Sequence, residues 1–170
     1  MSIRYLALVC LAGLAFACKE VQKNETQSQA EVPIAIQKQV PTAEYEDLAG
    51  NPIALADFKG KRVLLNYWAT WCKPCIEEMP VLERLQSELS AEGYVFLFAS
   101  DQSQQVIKKF KAAKGFDLTF LKFNGTWADE DISALPVTLI YNTAGEQVDR
   151  FDGMMAWDSP EMIEKLKALN

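Results

Sequence analysis

Apolar residues recur along this chain with two periods. Val63-Leu64-Leu65-Asn66-Tyr67 is a nearly unbroken apolar run, the pattern of a strand covered on both faces. Gly93–Ser100 repeats it, and Leu118–Phe123 is a shorter third run. Between them the spacing turns helical. Val81, Leu82, Leu85 and Leu89 predict a helix over Ile76–Ala91, with Pro80 inside it and expected to kink it. Val106, Ile107 and Phe110 give an inward face to a helix over about Gln104–Lys114, capped by Asp101 or Ser103 and ended by Gly115. Val137–Tyr141 and Glu146–Phe151, joined by Asn142-Thr143-Ala144-Gly145, predict an antiparallel hairpin. A last helix, Pro160–Leu169, is capped by Asp158 or Ser159 and turns Met162, Ile163 and Leu166 toward the sheet. Two short alternating runs around Gly50-Asn51-Pro52 predict a small hairpin over Glu44–Leu55. Strands alternating with helices make this an α/β chain.

The first residues follow neither period. Arg4 precedes a 13-residue apolar run, Tyr5–Ala17, which is shorter than the about 20 residues that span a bilayer. That is the pattern of a signal peptide over residues 1–17. Leu14-Ala15-Phe16-Ala17-Cys18 resembles a bacterial lipoprotein signal, which would make Cys18 the lipidated first residue. It departs from the usual pattern at Ala15, where Leu is commonest, and at bulky Phe16. Ordinary cleavage after Ala17 is the alternative, and would leave Cys18 a free thiol in an oxidising compartment. Residues 18–41 are polar and poor in aromatics, and read as a flexible tether. About 20 such residues would span on the order of 25 Å. The folded domain is then residues 42–170. The localisation expected is extracytoplasmic, on a membrane through the lipid.

Charge narrows the partners. The 170 residues carry net charge −6, or −7 without Met1–Ala17, whose only charge is Arg4. No basic cluster is present, so nucleic acid is not expected as a partner. No Gly-rich phosphate loop appears, and no cofactor is expected.

The chemistry lies where the first apolar run ends. Cys72 and Cys75 are three apart at a predicted helix start, with Pro74 suited to the first turn. The unpaired N–H groups and positive dipole end of that helix would stabilise a Cys72 thiolate. An accessible low-pKa thiolate with a second Cys one turn on can carry out thiol–disulfide exchange. Half a zinc site fits poorly: zinc takes four ligands, and the mature chain has no His and one other Cys. A purely structural bridge also fits poorly, because a loop of two residues removes little unfolded-state entropy. Cys10 lies inside the signal segment.

Trp68-Ala69-Thr70-Trp71-Cys72-Lys73-Pro74-Cys75, Glu78-Met79-Pro80 and Leu135-Pro136-Val137-Thr138 resemble the TlpA/ResA-type extracytoplasmic thiol–disulfide oxidoreductases, over roughly Pro41–Asn170. The resemblance implies an α/β thioredoxin fold: a central mixed sheet flanked by helices, with an N-terminal β-hairpin and a βα insertion. It implies a redox disulfide between Cys72 and Cys75, with Cys75 less exposed, and a cis peptide at Leu135–Pro136. Trp71, Lys73, Pro74, Leu135 and Pro136 would contact the substrate, with Trp71 shielding the sulfurs and Lys73 favouring the Cys72 thiolate. Glu78 would act with the cysteines as a proton relay, although a solvated helix Glu, like neighbouring Glu77, is the plainer reading. Thioredoxins place an Asp where this chain has Asn66, which cannot ionise and shifts acid–base work toward Glu78. Trp127 is either a core or lid residue or a partner contact.

The implied activity is reduction of disulfides in extracytoplasmic partner proteins, an apocytochrome c being one such client. A membrane thiol donor would reset the pair, and the protein is expected to act as a monomer. A disulfide oxidase or isomerase, a thiol peroxidase and a metal-binding module remain as alternatives. Trp71 before the Cys pair argues against the peroxidase, and the lack of His against the metal module.

Overall fold

The computed structural model describes residues 44–169, so the expected signal peptide, Cys18 and tether lie outside the described residues. The strands are β1 (Tyr45–Glu46), β2 (Pro52–Ile53), β3 (Arg62–Tyr67), β4 (Tyr94–Ser100), β5 (Thr119–Phe123), β6 (Val137–Tyr141) and β7 (Gln147–Asp152). The helices are α1 (Lys73–Leu89), α2 (Gln104–Lys114) and α3 (Pro160–Ala168). The strands form one mixed sheet in the order β2-β1-β5-β4-β3-β6-β7. β3 and β5 both pair with β4 in parallel, while β6 pairs antiparallel with β3 and β7 antiparallel with β6. The α2–β5 pair is thus the expected βα insertion, and β1 joins the N-terminal hairpin to its edge strand.

Alternate residues of β3 feed two cores, as strand geometry requires. Leu64 faces a core to which all three helices contribute, through Cys75, Met79, Leu82 and Leu85 of α1, Ile107 and Phe110 of α2, and Leu166 of α3. Val63, Leu65 and Tyr67 face the other core, covered by Leu55, Phe58, Trp127 and Ile132. The apolar run over 63–67 is continuous because both faces are covered.

The caps are chemically simple. Ser103 Oγ accepts from the Val106 N–H and Ser159 Oγ from the Met162 N–H, so these serines, not Asp101 or Asp158, cap α2 and α3. Gly115, at φ 72°, closes α2 in the left-handed region that favours glycine. One expectation needs correcting. Val106 is exposed, since only Ile107 and Phe110 fit the narrow inward face of α2. The Cys-bearing helix begins at Lys73, with Cys72 as its N-cap and Pro74 in its first turn, as expected. Pro80 lies inside α1, as expected, on its exposed side.

Candidate active site

β3 carries the chain directly to the redox pair. The Trp68 N–H extends the ladder to the Ala99 carbonyl at 3.0 Å, and the Cys72 N–H turns back onto the Ala69 carbonyl at 3.0 Å. Cys72 is the N-cap of α1, its Sγ accepting from the Cys75 N–H at 3.3 Å. Pro74 stands in the first turn, where no N–H is required. Cys72 and Cys75 are joined as a disulfide with Cα atoms 5.4 Å apart. Cys72 is 4% exposed and Cys75 0%, so Cys72 is the sulfur a partner can reach. A thiolate formed there meets the free N–H groups of a 17-residue helix. The loop before it is held by Gln102, whose Oε1 accepts from the Thr70 N–H at 2.7 Å and whose Nε2 donates to Thr70 Oγ1 at 3.0 Å.

The Leu135–Pro136 peptide is cis. The register Tyr67↔Val137 sets it beside the point where β3 leaves the sheet for the Cys loop. The Pro136 carbonyl accepts from the Gly153 N–H at 2.8 Å. Leu135, Ala134, Ser133, Ile132 and Trp127 line a groove of about 340 Å³ with Trp71. Trp71 is 67% exposed and forms a wall of this groove. Trp127 is half-buried, stacking on Phe123 and edge-on to Tyr67 while also lining the groove. The Lys73 side chain is 86% exposed and pairs with Glu77 Oε1 at 3.5 Å.

Glu78 is not a solvated helix residue. It lies one turn beyond Cys75 and is 2% exposed. Its Oε1 accepts from Asn66 Nδ2 at 2.9 Å and its Oε2 from Trp157 Nε1 at 2.8 Å. The Met155 backbone N–H is a third donor. Burial pushes the carboxyl above its ordinary value, and these donors oppose the shift only in part. Asn66 Nδ2 also bonds Thr138 Oγ1 at 3.0 Å, linking β3, β6 and α1. Sequence reasoning missed Trp157, Thr138, Gln102 and Ile132. Trp157 is 79 residues from Glu78, and no local pattern joins them.

Comparison with known proteins agrees with this geometry. A model of the AhpC/TSA family matches residues 36–159. Thioredoxin-like protein YneN of Bacillus subtilis is 38% identical over 148 residues, covering 84% of this chain and 85% of that protein. A thiol-disulfide oxidoreductase ResA of Bacillus cereus is 33% identical over 126 residues, covering 69% of this chain and 70% of ResA. The exposed lipoprotein thioredoxin Etrx1 of Streptococcus pneumoniae superposes with a TM-score of 0.61 at 26% identity, over 74% of this chain and 98% of Etrx1. With its capped Cys pair and thioredoxin sheet, the chain belongs to the AhpC/TSA family of thioredoxin-like proteins and is a thiol–disulfide oxidoreductase of the ResA type.

Proposed function

We propose that this protein reduces disulfides in extracytoplasmic partner proteins, through Cys72 and Cys75 with Glu78 as proton acceptor. The observation that carries this reading is the buried carboxylate of Glu78 one turn from the buried Cys75. In the reduced protein, the Cys72 thiolate attacks one sulfur of a client disulfide, and the other client sulfur leaves as a thiolate. The client chain lies along the Leu135 backbone, pairing with it as a short added strand, and its side chains enter the groove between Trp71 and Trp127. The Cys75 thiol gives its proton to Glu78, and the resulting thiolate attacks Cys72 Sγ. The second client sulfur is released, two electrons have passed to the client, and the Cys72–Cys75 disulfide remains. A membrane thiol donor restores the pair.

Residues 1–17 act as the signal peptide, Cys18 carries the lipid, and residues 18–41 tether the domain of residues 42–170. The likeness to Etrx1, a lipoprotein thioredoxin, supports this arrangement. Among the described residues no helix is long and apolar enough to cross a membrane, so a lipid on Cys18 would supply the anchor. An apocytochrome c with an oxidised Cys pair is the first client to test.

The test is the reduction potential of the Cys72–Cys75 pair. A value near about −270 mV supports the reductant. A value near about −120 mV overturns it in favour of an oxidase, with Lys73 the residue to replace next. Cys72→Ser should abolish exchange, and Cys75→Ser should trap the client as a mixed disulfide that mass spectrometry identifies. Peroxide consumption as fast as disulfide reduction would move the reading to a thiol peroxidase.

A further inference from the structure

Glu78 is held by Asn66 and by Met155 and Trp157, from two distant parts of the chain, and the mechanism above gives these partners no role. We propose that Trp157 is a positioning residue for the reaction: its indole N–H fixes the Glu78 carboxylate in its charged, proton-accepting form, and the Gly153–Trp157 segment keeps that carboxylate in register with the cis-proline loop. The inference rests on the reading of Glu78 as proton acceptor.

Four observations carry it. First, all three partners of Glu78 are N–H donors: Asn66 Nδ2 at 2.9 Å, Trp157 Nε1 at 2.8 Å and the Met155 backbone. Three donors suit a carboxylate with only acceptor sites, and a carboxylic acid would set its own O–H against one of them. Second, the groups facing Glu78 are uncharged. They are Asn66 from β3, Thr138 of β6 through Asn66, Met155 and Trp157 from the segment after β7, and Cys75 from its own helix. With no cation to offset burial, the donors alone support the charge. Third, the arrangement leaves Asn66 Oδ1 buried without a partner. Turning the amide over would satisfy that oxygen only by placing it against a charged Oε1. Fourth, the bond from Trp157 is not forced by burial of an indole, because Trp68 is equally buried and its Nε1 has no partner.

The same segment reaches the client side. The Gly153 N–H bonds the Pro136 carbonyl at 2.8 Å, two residues before Met155 and four before Trp157. One short stretch therefore holds both the loop on which a client lies and the carboxylate that takes the proton.

The test uses the full chain in its reduced form, with the pH dependence of single-turnover reduction of the aromatic disulfide DTNB as readout. Glu78→Gln should remove the carboxylate-linked inflection. Trp157→Phe keeps the ring and deletes the donor, so the inflection should remain and move upward by about one pH unit. The double variant should superimpose on Glu78→Gln. An unmoved inflection in Trp157→Phe overturns the inference. A Trp157→Phe effect of equal size in the Glu78→Gln background also overturns it, because Trp157 would then act by packing. If Glu78→Gln leaves the profile unchanged, the Glu78 reading itself falls. One measurement needs no variant: in the native chain the Trp157 indole N–H resonance should titrate together with the Glu78 carboxyl carbon. An indole resonance that stays flat through that titration overturns the inference.

Discussion

At the residue scale, the site is built on contrasts between neighbours of like chemistry. Cys72 caps the helix and meets solvent, while Cys75, one turn on, does not. Glu77 pairs with Lys73 in solvent, while adjacent Glu78 faces inward among N–H donors. The buried carboxyl has a consequence for stability. Its folded-state pKa is raised, first by desolvation, above the ordinary value of 4.5. Ionising it in the fold therefore costs stability at pH above that raised value, and the cost disappears as pH falls below the ordinary carboxylate range. Glu78→Gln should raise the urea midpoint at pH 8, with the gain closing by about pH 4. The structure can accommodate the amide. Its oxygen can face Trp157 and Met155, and its NH₂ can donate to Asn66 Oδ1 once that amide turns over. A midpoint at pH 8 below that of the native protein would show that the charge is needed for the fold.

At the element scale, helix ends and one buried indole set the local energetics. Ser103 is the side-chain cap of α2, and Ser103→Ala should cost about 1 kcal/mol in a denaturant melt, with little effect on disulfide exchange. Trp68, just past the end of β3, packs on Phe110 of α2 at 4.7 Å and on Phe120 of β5 at 5.1 Å between ring centroids. Trp68→Ala should cost about 3–5 kcal/mol by leaving a cavity where these elements meet. Trp68→Phe should cost less, because it also removes an N–H with no partner. Pro80 shows where propensity yields to packing. The interior proline weakens its own turn, yet Met79 and Leu82 on either side of it are fully buried and keep α1 seated on the sheet.

At the scale of the whole molecule, the sheet sorts its two faces by task. All three helices pack on one face, and that face ends in the Cys pair. On the other face the segment between β5 and β6 supplies Trp127 and Ile132, which line the groove with Trp71. The N-terminal hairpin is tied to this frame by the Tyr45–Tyr67 hydroxyl pair at 2.6 Å and by Asn124 Nδ2 on Glu46 Oε1 at 3.0 Å. If Cys18 carries a lipid, Cys18→Ala should move the protein from the membrane fraction to the soluble fraction while leaving exchange with a small disulfide intact. Full retention on membranes would sink the lipid anchor.

The sequence by itself determined what is local or carried by a strong motif. Apolar period placed β3, β4, β5 and the three helices within a few residues, because strand and helix spacing are properties of consecutive positions. Cys72 and Cys75 were legible for a related reason, because their chemistry needs fixed residue types at short spacing, whereas the cis bond before Pro136 came only from the resemblance of its motif to a known family. Tertiary structure decided the rest. It turned Glu78 from a helix-surface residue into a buried carboxylate and paired the exposed Lys73 with Glu77. It also brought Trp157 across 79 residues to a carboxylate oxygen. Such pairings depend on which faces meet once the sheet has closed, and a residue's neighbours in sequence carry no record of that.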